Sequence, residues 1–550
     1  MPIYSKPLLL LIFFVLFSVI PLSAGELPDA ETSVCWGTPS RNNVLPNVHA
    51  PNSWKIGKFH PRTGVWDAEK AKNVKWVSLL GTESYATPIV ADGKIFVATN
   101  NGRNYLKRIP EGTDMGVLLC FDEKTGEFLW QLSRPKLSMD VDWPEQGICS
   151  NPAVEGKRLW IVTNRAEVLC LDTEGFRDGK NDGPFTEEEV VAEDEADIVW
   201  RYDMISEHGV YPHNMAANSP LIYGDLIFVG TSHGVDEKTH SVVKPGVPSF
   251  IALDKRTGEL VWKDDSPGQN TLHGHWGSAA LGVFEDAKTP LQVIFPGPDG
   301  WLYAFSVEAI REGRPALIWK FDCNPKASLW KRDGSGTRNT LVATPCVADG
   351  RVYITTGDDP EYGEGEGILW CVAPTKEGDV SPEIVVDADG NPVPPRRVQN
   401  FDAEAEARGE KVIPNPNSAA VWCYVGKDKN GDGKLSFEEK FHRSLSTPTV
   451  AEGILIVGDH AGLIHAVDAK TGEQFWTFDM MSQVWGTAAI VGGRIYIGDQ
   501  DGDMAIFELS RELKVVAEIE NKNSIFGSPV YYDGCLYIVT RSHLIAVEEK

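Results

Sequence analysis

The sequence lacks several short motifs that mark large classes of enzymes. Its nine cysteines are scattered singly. None forms a C-x-x-C pair or a C-x-x-C-H haem attachment site, which argues against a redox dithiol and a c-type haem. No H-E-x-x-H segment occurs, so metal-dependent hydrolases of that type are set aside. These absences leave no catalytic residue that the sequence can assign.

Positive charge is also scarce. The 550 residues carry 52 Lys and Arg against 78 Asp and Glu, which gives a formal net charge of -26. Because nucleic acids and anionic lipid surfaces favour basic patches, the chain is not expected to bind either of them. The negative charge also favours solubility.

Long apolar runs are confined to the start of the chain. Lys6 supplies a positive charge, residues 8–20 are apolar, and residues 21–24 form a small-residue cleavage site. This pattern is typical of a secretory signal peptide. The run is short for a bilayer span, although an uncleaved anchor is the alternative. We expect residues 1–24 to be removed, the mature chain to be periplasmic or extracellular, and no transmembrane segment to remain.

What the sequence contains is a repeated motif. The pattern Ala/Cys-x-Asp-x-x-Thr-Gly-x-x-x-Trp occurs at residues 120–130, 252–262 and 466–476. Each copy is typical of a strand, a tight turn and a second strand. The Asp can accept amide hydrogens within the turn, and the Gly supplies a positive φ. The Trp offers a large apolar face to a neighbouring unit, so the motif indicates a repeat protein.

A second signature precedes each strand pair. It consists of a small residue, then Ser, Thr or Asn, and usually Pro, followed by short runs rich in β-branched and aromatic residues. It occurs eight times, six times with Pro and twice with Ala, around Pro88, Pro152, Pro220, 276–280, Pro345, Pro448, 485–489 and Pro529. Each unit is therefore predicted to be a blade of four short antiparallel strands.

The two ends of the chain complement each other. The last unit stops at residues 544–547, after its third strand, and the outer strand that it lacks is found at residues 74–80. Joining the two would remove the open sheet edges that invite aggregation. The sequence thus predicts an all-β, eight-bladed β-propeller over residues 74–550, closed by an N-terminal strand that completes the last blade. Residues 25–73 are a lead-in segment, and a parallel solenoid or two sandwiches is the alternative.

Two stretches interrupt the repeat. Residues 172–196 are acidic and rich in Gly, and residues 373–416 are charged and rich in Pro. Both are predicted to be surface loops.

A further stretch, residues 428–439, fits the calcium-loop pattern D-x-[DN]-x-[DN]-G-x5-E. Side-chain oxygens would come from Asp428, Asn430, Asp432, Ser436 and Glu439, and Lys434 would contribute its carbonyl oxygen. Because the flanks do not read as two helices, we expect one structural Ca²⁺ loop between blades, with a loop rich in Asp, Asn and Gly that binds no metal as the alternative.

The eleven-residue motif resembles the tryptophan-docking repeat of the pyrroloquinoline quinone (PQQ) propeller superfamily. That superfamily includes quinoprotein alcohol dehydrogenases and the propeller lipoprotein of outer-membrane protein assembly. The resemblance covers roughly residues 74–550. It implies the propeller fold, and it leaves open whether a quinone is bound, because the same repeats build blades in either case.

In such a propeller, residues just before the Ser/Thr-Pro signature should gather at the central channel. They are Glu83, Tyr85, His213, Asn214, His273, His275, Trp276, Arg338, Asn339, Arg443 and Trp485. An anionic quinone would need an Arg and a stacking aromatic side chain. The candidate PQQ-binding residues are accordingly Arg338, Trp276, Trp485, His275 and Asn339, and a base could come from Asp358 or Asp359.

Two functions therefore remain. The chain has neither the adjacent cysteine pair typical of the alcohol dehydrogenases nor a haem segment. This favours an exported, monomeric, non-catalytic scaffold that binds a protein or glycan through its face or loops. The alternative is a PQQ- and Ca²⁺-dependent dehydrogenase that oxidises an alcohol or a sugar.

Overall fold

The computed structural model describes residues 33–549. The predicted signal peptide, residues 1–24, lies outside the described residues. Eight sheets each contain a meander of four antiparallel strands, and together they form an eight-bladed β-propeller. The predicted fold is confirmed. Among the described residues, no helix combines the length and the apolar character that a membrane crossing would need.

The first four blades follow one another along the chain, each from its inner to its outer strand. Their strands are, for blade 1, Ile89–Ala91, Lys94–Asn100, Met115–Asp122 and Phe128–Pro135; for blade 2, Ala153–Glu155, Arg158–Val162, Glu167–Asp172 and Asp197–Asp203; for blade 3, Leu221–Tyr223, Leu226–Gly230, Phe250–Asp254 and Leu260–Asp264; and for blade 4, Ala280–Val283, Leu291–Pro296, Trp301–Ser306 and Leu317–Asp322.

The last four blades keep the same order, except that blade 8 takes its outer strand from the N-terminal part of the chain. Their strands are, for blade 5, Cys346–Ala348, Arg351–Thr355, Leu369–Val372 and Ala420–Tyr424; for blade 6, Thr449–Ala451, Ile454–Gly458, Leu463–Asp468 and Gln474–Asp479; for blade 7, Ala489–Val491, Arg494–Gly498, Asp503–Glu508 and Val515–Glu520; and for blade 8, Val530–Tyr532, Cys535–Val539, His543–Glu548 and Val74–Leu79.

A few short elements lie outside the blades. The additional strands are Val44–Leu45, Lys58–Phe59, Trp66–Asp67, Gly378–Asp379, Glu383–Val386 and Lys411–Pro414; the α-helices are Met204–His208, Val307–Arg311 and Ala403–Ala407; and the 3-10 turns are Asn101–Arg103, Gly175–Asp178, Gly268–Asn270, Pro360–Tyr362 and Phe437–Glu439.

The ring closes through the predicted strand exchange. Val74–Leu79 pairs antiparallel with His543–Glu548, in a register that places Trp76 opposite Ala546. The last blade therefore has its full set of four strands, and the edge that His543–Glu548 would otherwise expose is covered.

The predicted insertion 373–416 contains more regular structure than a loop. Glu383–Val386 pairs with Lys411–Pro414 in a hairpin, and Val385 and Val386 are buried. The two strands of the hairpin are separated by the charged stretch 387–410. Because the partner of the apolar run lies so far along the chain, no local sequence pattern predicts the pairing.

Tryptophan docking joins neighbouring blades. In seven blades the outer strand carries a Trp directly opposite an Ala or Cys of the third strand; the pairs are Trp76–Ala546, Trp130–Cys120, Trp200–Cys170, Trp262–Ala252, Trp319–Ala304, Trp422–Cys371 and Trp476–Ala466. Blade 7 is the exception, because Ala517 lies opposite Ile506. The small partner leaves room for the indole beside the sheet.

The turn of the next blade receives this indole. The Trp76 Nε1–H donates to the Glu123 carbonyl oxygen at 3.3 Å, one residue after Asp122. The Asp122 carboxylate accepts the amide hydrogens of Lys124 and Thr125 at 3.0 and 2.9 Å. Gly126 then lies against the Trp76 ring, so closely that a Cβ atom there would be 2.5 Å from it. The motif is thus a local turn and an inter-blade contact at once.

Replacing Gly126 with Ala should therefore destabilise the propeller more than the same change at Gly93. Both glycines have a positive φ, +71° and +70°, so the backbone strain is matched at about 1–2 kcal/mol. Only at Gly126 does the new Cβ meet an indole, since nothing lies within 4 Å of the corresponding point at Gly93. Overpacking should add about 1–3 kcal/mol, measured by urea unfolding. If both variants lost the same free energy of unfolding, the close contact between Gly126 and the Trp76 ring would not contribute to stability.

Candidate functional site

A belt of hydrogen bonds encircles the central channel. At seven of the eight Ser/Thr/Asn positions of the second signature, the backbone N–H donates to the side-chain oxygen of the same position in the next blade. Seven such links are present, at 2.6–3.0 Å: Thr87 to Asn151, Asn151 to Ser219, Ser219 to Ser278, Ser278 to Thr344, Thr447 to Thr487, Thr487 to Ser528, and Ser528 to Thr87. This explains why a short hydroxyl or amide side chain is needed at this position.

A ring of side chains, here called the wall ring, lies two residues before the belt in each blade. Its members are Tyr85, Cys149, Ala217, Trp276, Val342, Leu445, Trp485 and Phe526. All eight wall residues and all eight belt residues line one cavity of about 290 Å³. The repeat therefore places one variable side chain per blade around a common space, which is the candidate functional site and is called the funnel below.

The lead-in segment contributes to one end of the funnel. Trp36 is one of the lining residues, and its Nε1–H donates to the Ser528 Oγ at 3.2 Å. Arg41 is fully buried and donates to the carbonyl oxygens of Trp36, Ala279, Ser219 and Pro220. Contacts to blades 3, 4 and 8 thus fix the segment across the ring.

The charge of the funnel comes from one loop. Among the described residues that line it, Asp359 and Glu361 are the charged ones; both follow the second strand of blade 5. Burial raises the pKa of Asp359 to about 7, and the negative charges of Glu361, Asp358 and Glu237 add to the effect, although a hydrogen bond from the Glu361 amide opposes it. Burial likewise raises the pKa of Asp358 to about 6. The lining is therefore aromatic and acidic.

A chain of histidines connects this loop to blade 3. The His213 and His273 Nε2 atoms are 3.0 Å apart. The His213 Nε2 lies 3.4 Å from a Glu237 carboxylate oxygen, and the His273 Nε2 lies 3.4 Å from an Asp359 carboxylate oxygen. Burial lowers the pKa of His213 to about 4 and that of His273 well below its ordinary value. Both imidazoles are accordingly neutral at pH 7.

Each of the two carboxylates approaches a different histidine of this pair. Within residues 33–549, no group of three or more His, Cys, Asp or Glu side chains is arranged so that it could hold a metal ion. The two hydrogen-bonded histidines thus lie between the Glu237 and Asp359 carboxylates and support the Asp359 side chain.

The predicted PQQ-binding residues separate into two sets. Trp276 and Trp485 line the funnel. Arg338 instead lies between strands, where its Nη2–H donates to an Asp322 carboxylate oxygen at 3.0 Å. Asn339 accepts a hydrogen bond from the Arg443 Nε at 2.7 Å.

His275 is also absent from the described lining. It is fully buried, and its carbonyl oxygen accepts a hydrogen bond from the Asn218 side chain at 2.8 Å. Reasoning from polar residues missed Phe526, Cys149 and Trp36. The fixed distance of two residues before the belt would have identified Phe526 and Cys149, whereas nothing in the repeat points to Trp36.

The predicted calcium loop adopts a series of Asx-type turns between blades 5 and 6. The two Asp428 carboxylate oxygens accept the amide hydrogens of Gly431 and Gly433 at 2.6 and 2.8 Å. The two Glu439 oxygens accept those of Lys429 and Ser436 at 2.8 and 2.9 Å. These hydrogen bonds lower the pKa of both carboxyl groups.

The 3-10 turn Phe437–Glu439 forms the end of the loop, and the strands Ala420–Tyr424 and Thr449–Ala451 precede and follow it. The expectation that no pair of helices flanks it agrees with this geometry.

Comparisons with known proteins agree with the fold. A family model described as outer membrane protein assembly factor BamB matches residues 429–549. Quinoprotein alcohol dehydrogenase PedH of Pseudomonas putida is 20% identical over 561 aligned positions, which cover 88% of this chain and 84% of that protein. The outer membrane protein assembly factor BamB of Shewanella oneidensis is 34% identical over 67 residues, covering 11% of this chain and 17% of that protein.

A solved structure has the same fold. Quinohemoprotein alcohol dehydrogenase ADHIIG of Pseudomonas putida HK5 superposes with a TM-score of 0.50 at 12% identity, covering 86% of this chain and 76% of that one. The sheets, the tryptophan docking and the funnel define an eight-bladed propeller with one central cavity. The family match over residues 429–549 and the dehydrogenase relative show that the chain is similar to the PQQ-repeat propellers.

The raised pKa of Asp359 makes a prediction about stability. Its ordinary value is 3.8 and the folded value is about 7. The folded state therefore loses stability as the pH rises from about 4 to 7, because the unfolded chain ionises more easily. Asp359→Asn removes this cost, so the variant should be more stable than the wild type at pH 8 by up to about 4 kcal/mol, with little difference near pH 4.

Asp322→Asn is the matched control, because Asp322 is also buried but lies 3.0 Å from an Arg338 nitrogen and 2.8 Å from the Lys326 Nζ. Removing its charge should destabilise the protein by about 3–5 kcal/mol. Thermal unfolding at both pH values measures the two effects. If Asp359→Asn were less stable than the wild type at pH 8, the prediction that the ionised Asp359 carboxylate destabilises the folded state would be wrong.

Proposed function

We propose that the protein is an exported, non-catalytic binding module whose funnel holds a ligand. The observation that carries this proposal is the character of the funnel lining. Six of the lining residues are aromatic, namely Trp36, Tyr85, Trp143, Trp276, Trp485 and Phe526. The charged residues among the described lining, Asp359 and Glu361, are both acidic. Aromatic walls with a few polar groups are typical of small-molecule sites.

The lining does not fit PQQ by itself. An anionic quinone needs cationic side chains, because a carboxylate is bound most strongly by Arg in a bidentate pair. In the described part of the chain, neither Arg nor Lys lines the funnel, and Arg338 is engaged with Asp322. Asp359 and Glu361 would repel an anion. We therefore derive no catalytic step through a quinone.

The second candidate is a PQQ- and Ca²⁺-dependent dehydrogenase. It is supported by the dehydrogenase relative, which matches over 84% of its own length. A bound divalent cation could offset the acidic loop, and Trp276 or Trp485 would then stack against the quinone. Asp359 could accept a proton from an alcohol, since its carboxyl group titrates near neutral pH.

A quinone titration separates the two functions. The mature protein, stripped with a chelator, is titrated with PQQ in the presence and absence of Ca²⁺, and oxidation of alcohols and aldoses is followed with a dye. We expect neither saturable binding nor turnover, because the lining is acidic. Saturable binding that is lost in Trp276→Leu but kept in the wild type, together with turnover, would overturn the non-catalytic proposal.

We also propose that residues 428–439 bind one structural Ca²⁺ that braces the connection from blade 5 to blade 6. The D-x-[DN]-x-[DN]-G-x5-E pattern supports it. Asp428, Asp432 and Glu439 would have to move together around the ion, because the described structure does not gather three acidic side chains into a metal site, and Glu439 would be the bidentate ligand. The proposed partner is a protein or a glycan that contacts the loops around the funnel, and the proposed state is a monomer.

Glu439→Gln tests the calcium loop. Ca²⁺ at a hundredfold excess over its Kd should stabilise the wild type by about 2.7 kcal/mol, seen as a rise in Tm after chelation. Glu439→Gln should lose this rise because a carbonyl oxygen and an amide replace the bidentate carboxylate. Glu438→Gln, at the exposed neighbouring position, should keep it. The same rise in both variants, or no rise in the wild type, would refute the site.

A further inference from the structure

We infer that the ligand of the funnel is a small organic cation with a substituted ammonium group. This inference rests on the proposed function, in which the funnel is a binding site, and it names the chemical class of the ligand. Two independent features line the funnel: a contiguous aromatic surface, and the acidic loop that carries the buried Asp359 and the exposed Glu361, with the buried Asp358 directly behind them.

The aromatic surface is built by three consecutive blades of the ring. Trp485 of blade 7, Phe526 of blade 8 and Tyr85 of blade 1, here called the aromatic arc, all occupy the wall ring and line the funnel. The Tyr85 and Phe526 rings stack with centroids 5.0 Å apart, and the Phe526 and Trp485 centroids are 5.1 Å apart. The faces of such rings attract a cation, and several together are typical of sites for quaternary ammonium groups.

The acidic loop touches the same wall. The His460 Nε2 lies 3.3 Å from the Pro360 carbonyl oxygen, between Asp359 and Glu361. The His460 ring also contacts the Trp485 ring edge-on, at a centroid distance of 5.4 Å. One histidine therefore joins the aromatic arc to the loop that carries the carboxylates.

The carboxyl groups of this loop lack the cationic partners that several other buried acids have. Elsewhere, Asp322 is paired with Lys326 and Arg338, and Glu167 with Arg134. Within the described chain, the side chain of Asp359, which is 5% exposed, contacts the neutral His273 and the Glu361 amide.

The adjacent Asp358 has a buried carboxylate oxygen that has no hydrogen-bond partner. Arg443 is the cation in its neighbourhood, but this guanidinium donates to Asn339 and to the backbone of Tyr362, Gly334 and Gly336. Burying ionised carboxylates without a counter-ion is costly. A cationic ligand would supply the missing charge.

Other ligand classes fit less well. A neutral sugar would use the aromatic faces but would leave the carboxylates uncompensated, and an anion would be repelled by them. A metal ion would compensate the charge but would make no use of the arc. A cavity of about 290 Å³ accommodates a compound of the size of choline.

Calorimetric titration of the full mature chain with choline tests the inference. Its uncharged isostere, 3,3-dimethylbutan-1-ol, has nearly the same shape and is the matched ligand control. We expect choline to bind at least tenfold more tightly than the isostere at pH 8. Trp485→Leu and Asp359→Asn should each weaken choline binding at least fivefold. Asp359→Asn has the further advantage that it is expected to fold stably.

Two variants outside the funnel are the controls for these substitutions. Tyr532→Leu removes an aromatic side chain that is 40% exposed, and Asp501→Asn neutralises an exposed Asp of blade 7. Both should bind choline as the wild type does, and the thermal unfolding of every variant confirms that it is folded.

Four outcomes would overturn the inference. Equal binding of choline and its isostere would show that the charge is not recognised. Failure of choline, tetramethylammonium and ethanolamine to bind at 10 mM (about ten-thousandfold weaker than a micromolar ligand) would exclude the class. Binding of a neutral sugar in the funnel instead would exclude the cation but leave the binding function intact, whereas PQQ binding with turnover would refute both proposals.

Discussion

The belt of side-chain-to-backbone hydrogen bonds is the constraint on which the centre of this propeller depends. Most of the inner strands have only three residues, so the strand ladder alone leaves the segment before them without partners. The belt satisfies these amides by reaching into the next blade, as from Thr87 to Asn151. It therefore fixes the radius and the register of the ring, and with them the positions of the wall residues. Because the belt holds the backbone in place, the side chains of the wall ring can differ from blade to blade.

Much of this architecture is readable from the sequence because its determinants are local. The Asp, the Gly and the Trp of the repeated motif act within one turn and one neighbour, and the closing strand carries the same Trp. Trp276 and Trp485 were found because they adjoin the second signature. Arg338 and Asn339 are absent from the described lining of the funnel because their side chains bind Asp322 and Arg443 instead. The spacing of residues in the sequence does not report the direction of a side chain. The contribution of Trp36 depends on contacts almost the whole chain away.

The electrostatics of the funnel differ from those of the blades. Several buried acids in the blades, such as Asp322 and Glu167, are paired with Arg or Lys, which follows the general rule for buried charge. Asp358 and Asp359 break that rule at the edge of the cavity, and two neutral histidines support one of them. Buried carboxyl groups without a counter-ion cluster at functional sites. There they lower the stability of the folded protein but are already positioned to bind a ligand. The loop after the second strand of blade 5 is thus the most informative segment for function.

The lead-in segment has a consequence for the order of folding. The hydrogen bond from Trp36 to Ser528 joins residues 492 positions apart, and Asn42 reaches Val450 across 408 positions. Such contacts carry a large loop-closure entropy, and chains rich in them fold slowly. The segment is synthesised before the blades, and its contacts with blades 3 and 4 can form before its contact with blade 8. The earliest part of the described chain is thus held in place over Ser528 only once the last blade has formed, so the part of the funnel wall that Trp36 supplies is completed at the end of folding.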